Sequence, residues 1–310
     1  MIEVEGLTKR YGPIAAIDGV TFSVAQGEVI GFLGPNGAGK TTTMRILTGF
    51  SPPTRGTARV AGFDVLAEPL EVKRRVGYLP ETVPLYPEMV VSKFLAYVAE
   101  IKGIARSRRR AEVGRVIERC GVGPVATRLV RNVSKGFRQR IGLAQALIGS
   151  PPVLILDEPT VGLDPQQIVE IREMIRCLAQ EHTVLLSTHI LPEVTMVCGR
   201  VLIIRRGRIV AQDTMANLAG AGRPRAFTVE ADGPAEPLLG ALRAVPGVAF
   251  AEAERAGRFR LKALVGADIA PGVAEAVIGA GGRLRMLAEC TRTLEDVFMD
   301  VIASDAGGER

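Results

Sequence analysis

The sequence predicts an α/β fold with a mixed-sheet core and a helical insert, followed by a small α+β domain of ferredoxin-like order. Three observations lead there. Apolar runs of strand length in EVIGFL, VLILDEPT, HTVLLSTHI and RVLIIRRGRIV alternate with segments such as IVEIREMIRCLAQ, whose apolar residues recur three and four apart. That alternation builds a parallel sheet with crossover helices. From about residue 89 to residue 150 the period is helical throughout. Beyond a small, basic, glycine-containing stretch at 218–225, the chain reads strand, helix, strand, strand, helix, strand. These patterns place a first domain at 1–220, with a helical subdomain at about 89–150, and a second at 225–305.

Residues 2 to about 33 alternate as strands, with VTFSVAQGEVIGFL giving two runs about a Gln26-Gly27 turn. The run GPNGAGKTT at 34–42 then separates the buried strand EVIGFL from a helix, TTTMRILTG, closed by Gly49. A glycine-rich turn here points backbone N–H groups at phosphate oxygens, and the new helix adds its positive end. Gly34, Pro35, Asn36, Gly37, Ala38 and Gly39 form the cradle, and Thr42 ends the run. Lys40 would reach the β- and γ-phosphates, and Thr41 would hold Mg2+ through its hydroxyl. The strand–loop–helix setting predicts binding of a nucleoside triphosphate.

The stretch 57–78 is mixed and ends in VGYLP, a strand halted by Pro80. Three helical segments follow, VSKFLAYVAEIKG, RRAEVGRVIERCG and FRQRIGLAQALIG, each ending at glycine. In the second domain the strands are AFTVEA, GVAFAEAE, RFRLKALV and RLRMLAEC, the helices EPLLGALRAV and IAPGVAEAVIGAG, and a last helix comes from TLEDVFMDVI.

Composition narrows the function. At 310 residues and 47% hydrophobic content, two packed domains are expected. No apolar run approaches the roughly 18 to 20 residues that span a bilayer, and the start lacks a secretory profile. Cys120, Cys177, Cys198 and Cys290 are scattered without paired spacing and read as reduced thiols of a cytoplasmic protein. A net charge of +6 suits an anionic partner without choosing among nucleotide, membrane face and nucleic acid. The basic cluster at 106–110 has no interleaved aromatics, so it reads as a solvated helix start, and no nucleic acid is expected.

VLILDEPT puts Asp157 and Glu158 side by side where a buried strand emerges. Asp157 would support Mg2+, and Glu158 would polarise the water that attacks the γ-phosphate. His189, at the end of another strand, could hydrogen-bond the γ-phosphate and that water. His182, between a helix and a strand, reads as a loop or helix-end residue.

Together with VSKGFRQR at 133–140, this set resembles the ATP-binding cassette (ABC) of ABC transporters, a P-loop NTPase fold, over residues 1 to about 220. The family's L-S-G-G-Q signature falls on Val133, Ser134, Lys135, Gly136 and Phe137. Ser134 is a natural N-cap, and with the Gly136 backbone it makes a second anion site. The resemblance implies that this site serves the ATP of an opposing subunit, so that two cassettes close head-to-tail as a homodimer. It also implies Tyr11 as the aromatic on adenine, or else a half-buried strand-end tyrosine, and Asp164 as the acid coupling the two sites. Glu81 stands where the family usually has glutamine, as a Mg2+ ligand or as a residue turned to solvent or to a neighbouring arginine. Lys135 and Phe137 replace small or polar residues of the commonest signature. These departures and the extra C-terminal module are similar to the subgroup serving ABC-2-type exporters. The implied function is ATP hydrolysis, with Mg2+, driving a separate integral membrane permease from the cytoplasmic side. Two other readings compete: a soluble ABC ATPase acting on ribosomes or DNA, and a nucleotide-gated binding module.

Overall fold

The computed structural model describes residues 1–218, 225–264 and 266–290. The chain divides between Asp213 and Thr214 into two compact units. The first contains β1 (Ile2–Tyr11), β2 (Ile14–Val24), β3 (Val29–Leu33), α1 (Lys40–Leu47), β4 (Arg55–Val60), β5 (Phe63–Asp64), α2 (Pro69–Arg75) and β6 (Val76–Leu79). It continues through α3 (Val91–Ile101), α4 (Arg106–Arg119), α5 (Lys135–Leu147), β7 (Val153–Asp157), α6 (Pro165–Leu178), β8 (Thr183–Thr188), α7 (Leu191–Val197), β9 (Arg200–Arg205) and β10 (Arg208–Thr214).

Two sheets share this unit. An antiparallel one has the order β2-β1-β4-β5, and a larger one the order β10-β9-β3-β8-β7-β6. In the larger sheet β9, β3, β8, β7 and β6 run parallel. Every residue of β7 and β8 is buried, the mark of strands covered on both faces. That is why VLILD and TVLLST read as unbroken apolar runs instead of alternating ones. The two runs about Gln26-Gly27 end up in different sheets, and a shared core lies between them. Phe22, Val20 and Ile2 from the antiparallel sheet pack with Phe32, Ile155, Leu185 and Leu202 from the parallel one, and α1 contributes Met44, Ile46 and Leu47. Each such fully buried side chain contributes about 1.5–3 kcal/mol.

The mixed stretch 57–78 resolves into β4, β5, α2 and β6, and the three helical segments become α3, α4 and α5. RVLIIRRGRIV, which reads as a single run, is a hairpin of β9 and β10 turned at Arg206-Gly207. His182 is buried, with Nδ1 2.7 Å from the Pro151 carbonyl oxygen, and so is a satisfied structural residue.

The second unit opens with α8 (Met215–Leu218) and continues with β11 (Ala226–Asp232), α9 (Ala235–Arg243), β12 (Val248–Arg255), β13 (Arg258–Ala263), α10 (Ala270–Gly279) and β14 (Arg283–Cys290). Its antiparallel sheet has the order β12-β13-β11-β14, the split βαβ arrangement of a ferredoxin-like fold. Leu238, Leu242, Phe259, Leu261, Val273 and Val277 form a separate core. The helix expected from TLEDVFMDVI lies outside the described residues. Among the described residues no helix is long and apolar enough to cross a membrane.

Candidate nucleotide site

Strand register assembles the site. Leu33 is level with Thr188, and Asp157 is level with Ser187, so the parallel strands β3, β8 and β7 end together. One step further along each chain come Gly34, His189 and Glu158. On the far side of β7, Leu79 pairs with Leu156, which delivers Pro80 and Glu81 to the same edge. Ligands of parallel α/β sheets bind at this carboxyl edge.

The loop between β3 and α1 encloses a cavity of about 330 Å³. Asn36, Gly37, Gly39, Lys40, Thr41 and Thr42 line one side, while Glu81, Glu158, Val161, His189 and Ala16 complete it. At the α1 N-cap, Gly39 has φ 107° and offers no side-chain cap, and the helix has no acidic residue in its first turn. Its leading N–H groups are therefore open to an anion. A Cβ at Gly39 would sit 2.6 Å from the Ala16 carbonyl oxygen, and one at Gly34 would sit 2.4 Å from that of Ile204, so the tight loop admits only glycine at both places.

Lys40 is buried and folds back over the loop. Its Nζ donates to the carbonyl oxygens of Gly34 at 2.8 Å and Pro35 at 3.2 Å, and lies 3.1 Å from Glu158 Oε1. Glu158 Oε2 is 2.8 Å from His189 Nδ1. Lysine, carboxylate and imidazole thus form one chain, with Glu158 buried at its centre and the His189 side chain 39% exposed, within reach of a ligand.

Asp157 lies behind this row, fully buried, with Oδ1 accepting the Ser187 hydroxyl proton. Burial raises its pKa above the usual carboxylate value, against the lowering effect of the Ser187 and Thr41 hydroxyls; the charges of Glu158 and Glu81 add to the rise. The second oxygen, Oδ2, is buried without a hydrogen bond of full geometry. A divalent cation held by Thr41 and Asp157 would relieve that charge. Among the described residues no cluster of three metal-ligating side chains exists. A hydroxyl and a carboxylate are hard oxygen donors, a set that fits Mg2+, which takes one or two protein oxygens and completes its shell with phosphate and water.

Some expected residues stand elsewhere. Gly34 N–H donates to Thr188 O, and Ala38 N–H to Pro35 O, with the Ala38 side chain in the core. Tyr11, half exposed at the end of β1, carries Lys9 Nζ 5.2 Å from its ring centroid and does not line the cavity. Ser134 caps α5, its hydroxyl accepting Phe137 N–H at 3.4 Å, and neither it nor Gly136 lines the cavity. Asp164 caps α6 by accepting Gln167 N–H at 2.9 Å. Sequence reading passed over Ser187 and Glu193, both buried and both bonded to the strand ends that carry the site. Only a polar residue inside an apolar run hinted at the first of them.

A parallel sheet with a phosphate loop at its carboxyl edge, faced by adjacent carboxylates and a histidine, is the arrangement of a P-loop nucleotide hydrolase. The chain belongs to the ABC transporter ATP-binding protein family, and is an ATP-hydrolysing cassette. The family model described as ABC transporter matches residues 17–161. The chain is 33% identical to the uncharacterized ABC transporter ATP-binding protein YxlF of Bacillus subtilis (strain 168), over 97% of this chain and 99% of that one. It is 38% identical to the bacitracin transport ATP-binding protein BcrA of Bacillus licheniformis, over 68% of this chain and 69% of the relative. Among solved structures, an ATP-binding subunit of an ABC transporter superposes with a TM-score of 0.64 at 30% identity, covering 70% of this chain and 91% of that one.

Proposed function

We propose that the chain is the nucleotide-binding subunit of an ABC-2-type exporter, dimerising on ATP and driving a separate membrane permease from the cytoplasmic face. The observation that carries the hydrolytic part is the row Lys40–Glu158–His189 along the open side of the phosphate loop. Lys40 releases Glu158 when phosphate oxygens replace the carboxylate, and Glu158 then accepts the proton of the attacking water. His189, held through Nδ1, presents its other nitrogen to the γ-phosphate. Thr41 and Asp157, with Glu81 at the cavity edge, would hold Mg2+, which neutralises developing phosphate charge.

The dimer reading draws on Ser134, the N-cap of α5, and Gly136 in its first turn, neither of which lines its own chain's cavity and both of which suit an opposed nucleotide; Asp164 would couple the two sites and Tyr11 would stack on adenine. The transport names of the relatives support the permease partner. In this reading 1–220 is the cassette, with its helical subdomain at about 89–150, and 225–305 is an accessory module.

The test is Glu158→Gln. ATP binding should persist while turnover falls about 10²- to 10⁴-fold, the usual cost of a positioned base. Equilibrium nucleotide titration alongside phosphate release measures both, and near-normal turnover would refute the role.

A further inference from the structure

We infer that Glu193 is a positioning residue for hydrolysis, whose buried carboxylate fixes Glu158 relative to His189 by holding a threonine beside each. Glu193 stands in the first turn of α7 and is 1% exposed. Its Oε1 accepts the hydroxyl proton of Thr160, two residues beyond Glu158. Its Oε2 accepts that of Thr188, directly before His189, at 2.7 Å. Arg172 of α6 lies 3.7 Å from Oε1, so the charge is not buried alone.

Both threonines are buried as well, and the direction of one bond is forced. An ionised carboxylate only accepts, so the Thr188 hydroxyl, which itself accepts Ile190 N–H at 3.0 Å, gives its single proton to Glu193. The Thr188 carbonyl accepts Gly34 N–H at 3.3 Å, so the same residue ties the clamp to the phosphate loop. One carboxylate therefore joins three loops that the sequence separates widely.

Two energetic facts make this a device of geometry more than of stability. Burying a carboxylate costs several kcal/mol before its partners compensate, and apolar packing would serve a core equally well. Glu158, meanwhile, has φ 50°, a left-handed conformation that persists in a non-glycine residue only when its surroundings hold it. The hydrogen bond of its own N–H to Ser187 O, at 3.0 Å, anchors one side, and the Thr160–Glu193 bond anchors the other. Without the second anchor Glu158 can relax toward ordinary dihedrals, carrying its carboxylate away from the attacking water. Lys40 keeps its bonds to the Gly34 and Pro35 carbonyl oxygens when Glu158 moves, so nucleotide affinity should be spared.

The inference rests on the hydrolytic reading above, and the experiment separates the two. Basal ATPase of the purified chain is measured for wild type, Glu193→Gln, Thr160→Val, Thr160→Ser and the double variant Thr160→Val/Glu193→Gln. Turnover should fall about tenfold in Glu193→Gln and Thr160→Val, with KM for ATP within about twofold of wild type. Thr160→Ser, which keeps the hydroxyl, should restore it. The double variant should be no slower than the slower single, because both cut one tie. Unchanged turnover in both singles, equal slowing in Thr160→Ser and Thr160→Val, or a loss that follows nucleotide affinity would overturn the inference. If Glu193→Gln fails to fold, the Thr160 pair still decides by hydroxyl rescue. A wild-type chain that binds ATP without hydrolysing it would instead overturn the hydrolytic reading and this inference with it.

Discussion

Asp157 and Glu158 are neighbours of like chemistry to which the backbone assigns different surroundings. Asp157 is the last residue of an extended, buried strand, whereas Glu158 turns left-handed and swings its carboxylate between Lys40 and His189. The raised pKa of Asp157 has a consequence for stability. Because the folded chain binds this proton more tightly than the unfolded chain, the stabilisation is complete below about pH 4 and lost as pH rises through the elevated folded value. The melting temperature of the nucleotide-free protein should therefore decline across that window, by roughly 2–4 °C for each kcal/mol withdrawn. Asp157→Asn should flatten the decline while abolishing Mg2+-dependent turnover. Thermal melts over a pH series compare the two proteins, and parallel curves would show that Asp157 does not titrate there. The adjacent acids were legible because they follow a strand and precede Pro159. Glu193 was not, since an acid on a helix surface and one aimed into the core look alike in sequence.

Helix ends carry the next level of the argument. α1 begins at a glycine with no capping side chain and opens into the cavity, whereas α5 begins at Ser134, whose hydroxyl satisfies Phe137 N–H. GAGK and VSKG mark two helix ends in the sequence, expected to serve different nucleotides, and in the fold only the first of them lines the cavity. If α5 meets the nucleotide of a second copy, Ser134→Arg should leave ATP binding to the single chain intact and eliminate the ATP-dependent dimer trapped by Glu158→Gln. Light scattering with and without ATP reads this directly. The lost cap costs about 1 kcal/mol, so the melting temperature is followed in parallel to separate misfolding from a blocked interface. An undiminished dimer would remove Ser134 from the interface.

At the scale of the whole molecule, each unit has its own apolar core, the first organised around Phe32, Ile155 and Leu185 and the second around Phe259, Leu261 and Val273. Every residue lining the nucleotide cavity belongs to the first unit. A chain ending at Thr214, which preserves β10, should therefore fold and bind ATP within about threefold of the full-length affinity, as expected of a domain with an independent core. Loss of binding by a truncated chain with native circular dichroism would mean that the second unit completes the site.

The sequence by itself determined the strand–loop–helix around Lys40, the acid pair, the helical insert and the order of strands and helices in the second unit. These are local patterns, written in hydrophobic period and in residues that only tight turns accept. Tertiary structure alone decided that Val20 and Phe32, close along the chain, belong to opposing sheets, and that Arg200–Arg205 and Arg208–Thr214 form a hairpin. It alone also brought Thr160, Thr188 and Glu193 together behind the site. Such contacts depend on which strands pair and in what register, and register is set by the collective burial of side chains from the whole sheet, which no single segment encodes.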